Sequence, residues 1–277
     1  MNRRAVGTVA AVAAAWLGVA CLDISSPVTG ISGITSVLLP APSVVINDSL
    51  RDTSGVAQRL VVHAFGPDGE QIPDADITVR YFAIDTTNGL RVDSISGFAF
   101  GDSLSPLAKV VARVTPASGK GVIQTLQVPL PVVPTPVAAT KSDTLIDFPF
   151  DPTTLDTLGS GVLSPTLDVK VVGHTADTTI QSYVVSYKIV RMPTSKIAGE
   201  PTVRILDRTG NDSTIAITSA SGVASRQLRV RLKAIPDVLR LPPATDTVVV
   251  QVRVLFHGQP LPVTPSDSFK LVLRPTF

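Results

Sequence analysis

Segment after segment of this 277-residue chain alternates apolar and polar side chains with a period of two, the mark of a β-strand with one buried face. Gln227–Ala234 sets Leu228, Val230 and Leu232 to one side and Arg229, Arg231 and Lys233 to the other. Val248–Phe256 repeats the pattern with Val248, Val250, Val252, Val254 and Phe256 inward, and Ser268–Arg274 with Phe269, Leu271 and Leu273. Past the first twenty residues no stretch of ten or more sustains a helical stripe, so the body is expected to be nearly all β. The 23 prolines and 19 glycines fall mostly between these segments, where proline's missing N–H breaks no ladder. Gly66-Pro67-Asp68-Gly69 is a turn by its chemistry. Strands of this length separated by such turns predict a sandwich or barrel.

The body, about 240 residues, exceeds the usual single-domain size. An internal repeat divides it. Aligning Ile72 with Ile180, 108 positions on, lays Val79-Arg80-Tyr81 over Tyr187-Lys188-Ile189. A second echo pairs Val92–Gly97 and the strand Lys109–Val114 with Ile217–Gly222 and the strand Leu228–Lys233. Pro129-Leu130-Pro131-Val132-Val133-Pro134-Thr135-Pro136 lies between the copies and prefers extended polyproline geometry, the behaviour of a semi-rigid spacer. The expected organisation is one β-sandwich over 37–130 and a second over 131–277, the latter with insertions around Asp143–Ser160 and Ile235–Thr245.

The layout resembles the bacterial immunoglobulin-like domains that occur in tandem on envelope proteins. Ser43, the Gly66–Gly69 turn, Ile72–Val79, the alternating Val110-Val111-Ala112-Arg113-Val114 and a closing strand Val122–Val128 carry the resemblance. It covers the first domain well and the second loosely, and Tyr81-Phe82-Ala83-Ile84 stands where that family has its Trp or Phe-Ser-Ser segment. It implies two tandem immunoglobulin-like sandwiches.

The N-terminus, Met1-Asn2-Arg3-Arg4 followed by an apolar run from Ala5 to Ala20, reads as a cleaved secretory signal of residues 1–20, too short to be a comfortable membrane span. Leu17-Gly18-Val19-Ala20-Cys21 resembles the lipobox of bacterial lipoproteins, with Gly18 where that family has Leu. The resemblance implies lipidation of Cys21, a membrane partner through the N-terminal lipid, and, because Leu22 and not Asp follows, an outer-membrane destination in a two-membrane cell. An ordinary signal peptide beside a stray cysteine is the alternative. Cys21 is the only cysteine, which rules out an intrachain disulfide framework. Residues 21–36, rich in Ser, Gly and Thr, read as the lipidated terminus and a flexible tether.

Arg3 and Arg4 belong to the signal, so 24 basic residues become 22 and match the 22 acidic ones. A body of zero formal charge gives no footprint for nucleic acid. His63, His174 and His257 are isolated, without metal-ligand spacing, and read as surface or strand-end residues. Asp74 and Asp76, and Asp143, Asp147 and Asp151, lack the spacing of a calcium loop. Asn47-Asp48-Ser49 and Asn211-Asp212-Ser213 read as turns. No nucleophile elbow, phosphate loop or catalytic-cysteine context appears, so no enzyme, metal or cofactor is expected. Outward basic residues Lys188, Arg229, Arg231, Lys233, Arg253, Lys270 and Arg274 would make a patch for an anionic polysaccharide, lipid head group or acidic envelope protein if several share a face, or else form a solvated sheet surface. The expectation is a non-enzymatic binding, adhesion or spacer module of the cell envelope. The alternative is an accessory or substrate-presenting subunit of an envelope enzyme or transport system, which a convergent pocket with titratable groups would favour.

Overall fold

The computed structural model describes residues 31, 33–117, 123–142, 144–151, 161–174, 178–240 and 245–276. The expected signal peptide and Cys21 lie outside them. By contact density the described residues fall into two compact units, one drawn from 31–35, 63–78 and 114–124, the other from 36–62, 79–113 and 125–276.

Among the described residues, strands and three short 3-10 turns make up the regular structure. The first ten strands are β1 (Gly33–Leu38), β2 (Val44–Val45), β3 (Asp48–Ser49), β4 (Val61–Phe65), β5 (Ile77–Ile84), β6 (Leu90–Val92), β7 (Ala99–Gly101), β8 (Lys109–Pro116), β9 (Gln124–Pro129) and β10 (Val132–Val133). They form small sheets ordered β5-β8-β9, β3-β7-β6, β1-β4 and β10-β2. Gly33–Ser36, read from the sequence as the end of the tether, begin β1 instead.

The smaller unit contains the predicted turn. Gly66 N–H donates to Glu70 O at 2.9 Å, and Ile72 N–H donates to Ala64 O at 2.9 Å. A 3-10 turn over Asp74–Asp76 follows, and Ala117 N–H donates to Asp76 O at 2.8 Å.

The remaining strands are β11 (Ala138–Lys141), β12 (Leu145–Phe150), β13 (Val162–Leu163), β14 (Leu167–Val172), β15 (Val184–Arg191), β16 (Val203–Leu206), β17 (Ile215–Ile217), β18 (Val223–Val230), β19 (Asp246–Arg253), β20 (Leu255–Phe256), β21 (Gln259–Pro260), β22 (Val263–Thr264) and β23 (Ser268–Pro275). One sheet runs β13-β18-β14-β11-β22 with β16 also on β18, and the other runs β12-β23-β19-β15-β17. Their inner faces share one core that includes Val169, Leu228, Val250, Phe269 and Leu271. Taking β11, β14, β18 and β16 as strands A, B, E and D, and β15, β19 and β23 as C, F and G, gives the immunoglobulin arrangement of two sheets. β11 is antiparallel to β14, and β12 runs parallel to β23 as a second leading strand.

The alternation that announced these strands is obeyed. Val248, Val250, Val252, Phe269, Leu271 and Leu273 are all buried. The strand expected over Gln227–Ala234 instead ends at Val230, and Leu232–Ala234 turn into a 3-10 helix that still buries Leu232 and Ala234. The stretch around Asp143–Ser160, read as an insertion, contains β12, in which Ile146, Phe148 and Phe150 point inward and Pro149 is tolerated because the strand closes its sheet's edge. The proline-rich join is extended, as its composition dictates, but it is built into the fold: Val132 and Val133 pair in parallel with Val44 and Val45, and Leu130, Val132 and Val133 are buried.

Each copy of the repeat centres on a tyrosine in the position where antibody domains bury a tryptophan. Tyr187 Oη, on β15, donates across the sandwich to Leu167 O at 3.1 Å or Ala224 O at 2.9 Å. Tyr81 Oη, on β5, donates to Leu60 O at 3.0 Å. Burial raises the pKa of the Tyr187 hydroxyl, keeping it a neutral donor. The tyrosines shift the repeat alignment by two residues from that read in the sequence, because the Asp74–Asp76 turn lengthens the first copy. The shift preserves each residue's face. The second echo also changes. Gly97 and Gly222 both sit at φ 75, but the strand after Gly97 is β7 and the strand after Gly222 is β18. The counterpart of β8 is therefore β19, with Val110, Ala112 and Val114 matching Val248, Val250 and Val252 as buried positions.

Candidate functional site

A cleft of about 260 Å3 lies within the larger unit, between residues of the two expected sandwiches. Ala41–Ser43, Val45, Asp48–Ser49 and Arg51–Thr53 line one side, and Tyr183–Val184, Ser186, Ile215, Arg253 and Leu255–His257 the other.

The first side is shaped by turn chemistry. Asn47 takes φ 58, a conformation Asn tolerates better than most residues, and turns the chain between β2 and β3 so that Asp48 faces the cleft. The Asp48 carboxylate accepts hydrogen bonds from Ser49 N–H at 2.8 Å and from Arg51 Nε at 2.9 and 3.1 Å. Arg51 Nη1 also donates to Gly55 O at 2.9 Å. Asp52 organises the following turn. Its Oδ1 accepts from Ser54 Oγ and from the N–H groups of Ser54 and Val56, and its Oδ2 accepts from Gln58 Nε2. The Ser54 hydroxyl, with those other donors, outweighs desolvation and lowers the Asp52 carboxyl pKa to about 2.

The second side is the β15–β19 ladder continued by the β20–β21 hairpin. His257 occupies the hairpin turn at φ 52 and stacks on Phe256, ring centroids 4.0 Å apart. Its Nε2 lies 2.5 Å from Asp48 Oδ2. The backbones close in beside this pair. A Cβ on Gly55 would stand 2.3 Å from the His257 carbonyl carbon, and one on Gly258 would stand 2.3 Å from Ser54 O, so only glycine fits at either place. Tyr183 Oη donates to Leu255 O at 2.8 Å and holds the hairpin's start against β15. Burial first, and the Asp48 charge second, raise its pKa. Ser43 Oγ adds a hydrogen bond to Ser182 O at 2.7 Å.

Chemically this is an apolar trough with a charged rim. Val45, Val184, Ile215, Leu255 and Phe256 supply the apolar surface, and Ile215 is 52% exposed at the sheet edge. Among the described residues no hydroxyl hydrogen-bonds to His257, so the Asp48–His257 pair joins two segments and does not activate a nucleophile. Among the described residues no group of three His, Cys, Asp or Glu side chains gathers, and no helix is long and apolar enough to cross a membrane.

The seven basic residues singled out from the sequence divide between the sheets. Lys188, Arg253, Lys270 and Arg274 are exposed on the outer face of the β12-β23-β19-β15-β17 sheet, where Arg274 is paired with Asp147. Arg229 is on β18 with a buried, unpartnered Nε, Arg231 is 2.9 Å from Glu200, and Lys233 is exposed on the 3-10 turn that follows. Of the seven only Arg253 lines the cleft. His63 bonds Gln71 at 2.8 Å, and Asp74 and Asp76 lie in their 3-10 turn. Asp143 lies outside the described residues. Sequence reasoning missed Asp48, Arg51 and Tyr183 as site residues and left His257 as a strand-end histidine. The available signal was local: Asn47-Asp48 and His257-Gly258 both read as turns.

No family model matches the chain, and no curated protein matches it. Among solved structures it superimposes in part on domains 4 and 5 of the S-layer protein SbsC, with 11% identity, 90% of this chain and 100% of that one covered, and a TM-score of 0.27. The D00-D0 domain of intimin gives 13% identity, 87% and 99% coverage and a TM-score of 0.24. Chicken VE-cadherin EC1-2 gives 10% identity, 78% and 91% coverage and a TM-score of 0.25. The immunoglobulin-like assignment rests on strand order and pairing.

Proposed function

We propose that this chain is an exported, lipid-anchored envelope protein whose immunoglobulin-like sandwiches act as a binding module, with the cleft beside Asp48 and His257 as its ligand site. The observation that carries the reading is the cleft itself: a concave, mostly apolar surface with a few convergent polar groups is the usual form of a small-ligand site. The signal sequence and the Leu17–Cys21 motif support the envelope location. The test is capture from envelope extracts by the wild-type chain and by Ser186→Trp, whose added ring fills the cleft from the outer face of β15. A component retained by the first and lost by the second is expected, and equal retention would contradict the reading.

The same cleft favours a second role, presentation of a bound substrate to an envelope enzyme or transporter, because titratable groups converge on it. A partner that binds the ligand-loaded chain and not the empty one would distinguish presentation from adhesion.

A further inference from the structure

We propose that the cleft takes a small apolar ligand carrying a carboxylate, its apolar body against Val45, Val184, Ile215 and Phe256 and its carboxylate on the guanidinium of Arg253. This rests on the reading of the cleft as a binding site and adds the ligand's chemistry.

Most of the charged groups at the cleft are already engaged. Asp48 accepts from Ser49, Arg51 and His257, and Asp52 accepts from Ser54, Val56 and Gln58. Arg51 in turn is held by Asp48 and Gly55 O. Arg253 differs from all three. It is exposed, it lines the cleft, and among the described residues its guanidinium has no hydrogen-bond or ion-pair partner; only its backbone carbonyl is engaged, by Ser186 Oγ at 3.2 Å. A cationic ligand would meet this guanidinium and find both carboxylates occupied. A carboxylate would find two parallel N–H donors in the geometry that suits it. A neutral apolar ligand would use the trough and leave Arg253 idle.

Size narrows the class. At roughly 30 Å3 for each water-sized group, a cavity of about 260 Å3 holds about nine non-hydrogen groups, the size of an octanoyl chain.

The experiment titrates the mature chain, residues 21–277 with Cys21→Ser so that it carries neither the apolar signal nor a lipid, with octanoate, octan-1-ol and octyltrimethylammonium by calorimetry, and repeats the series on Arg253→Gln. Octanoate is expected to saturate a single site, octanol to bind about tenfold more weakly, and Arg253→Gln to erase that difference while keeping octanol binding. Equal affinity for octanoate and octanol, or preference for the ammonium, would overturn the carboxylate assignment and leave the cleft as a binding site. No saturable binding of any of the three would overturn the reading of the cleft as well. A peptide ending in Leu-Leu with a free carboxylate, set against its amide, then separates a polypeptide C-terminus from an acyl carboxylate as the source of the group.

Discussion

His257 Nε2 lies 2.5 Å from Asp48 Oδ2, a contact between residues 209 positions apart that fastens the β20–β21 hairpin to the turn before β3. The two partners are not equivalent, since the Asp48 side chain is 12% exposed and that of His257 is 45% exposed. Removing Asp48 leaves Arg51 Nε and Ser49 N–H without their acceptor, whereas removing His257 leaves Asp48 with both of those donors. Asp48→Ala is therefore expected to cost about 2 kcal/mol in urea denaturation, and His257→Ala about 0.5 kcal/mol. The reverse order would contradict this account of the cluster.

Tyr187 ties the two sheets together through its hydroxyl, and Tyr187→Phe removes that donor while leaving the ring to fill the core. A loss of about 1 to 2 kcal/mol is expected, with the slope of stability against denaturant unchanged. A neutral result would mean that the hydroxyl adds nothing to the packing of the ring.

Gly97 and Gly222 should not tolerate a side chain. Both have φ 75, and a Cβ would stand 2.8 Å from the Tyr81 ring at Gly97 and 2.9 Å from Thr179 Cβ at Gly222. Gly199 has φ 78 with nothing within 4 Å of such a Cβ, so it isolates the backbone strain from the clash. Alanine at 199 is expected to cost about 1 kcal/mol, and alanine at 97 or 222 clearly more. Equal losses at all three would show that the clash is relieved for nothing.

Asp85 gives the pH dependence its sign. Burial alone would raise its pKa, but hydrogen bonds from Ser105 Oγ, Thr87 Oγ and the N–H groups of Thr87 and Leu90 outweigh it and hold the carboxyl well below its ordinary range. A group whose folded pKa lies below its unfolded value of about 4 stabilises the fold above that pH and loses the contribution as pH falls. Asp52 behaves in the same way, down to its folded value of about 2. Denaturation midpoints measured from pH 6 to 2 should fall, and Asp85→Asn should flatten the part below pH 4. An unchanged pH profile in that variant would contradict the assignment.

Much of the fold was legible because period-two burial is a local property. Val248, Val250 and Val252 declare their face without any knowledge of what covers them. β12 was lost because Leu145-Ile146-Asp147-Phe148-Pro149-Phe150 carries a proline that argues against a strand, and only its edge position, invisible in sequence, makes Pro149 acceptable. The repeat was misregistered because spacings within the copies differ: Ile72 precedes Tyr81 by nine positions, whereas Ile180 precedes Tyr187 by seven. The cleft was illegible. Asp48, Tyr183, Arg253 and His257 come from distant points of the chain, and none carries a motif that announces the others.

Methyl NMR during an octanoate titration reads directly whether the trough beside Asp48 and His257 binds a ligand. Resonances of Val45, Val184, Ile215 and Leu255 are expected to shift together along one saturable curve, while Leu107 and Leu145, exposed at 83% and 64% away from the cleft, stay in place. Unsaturating shifts spread evenly over all exposed methyl groups would contradict it.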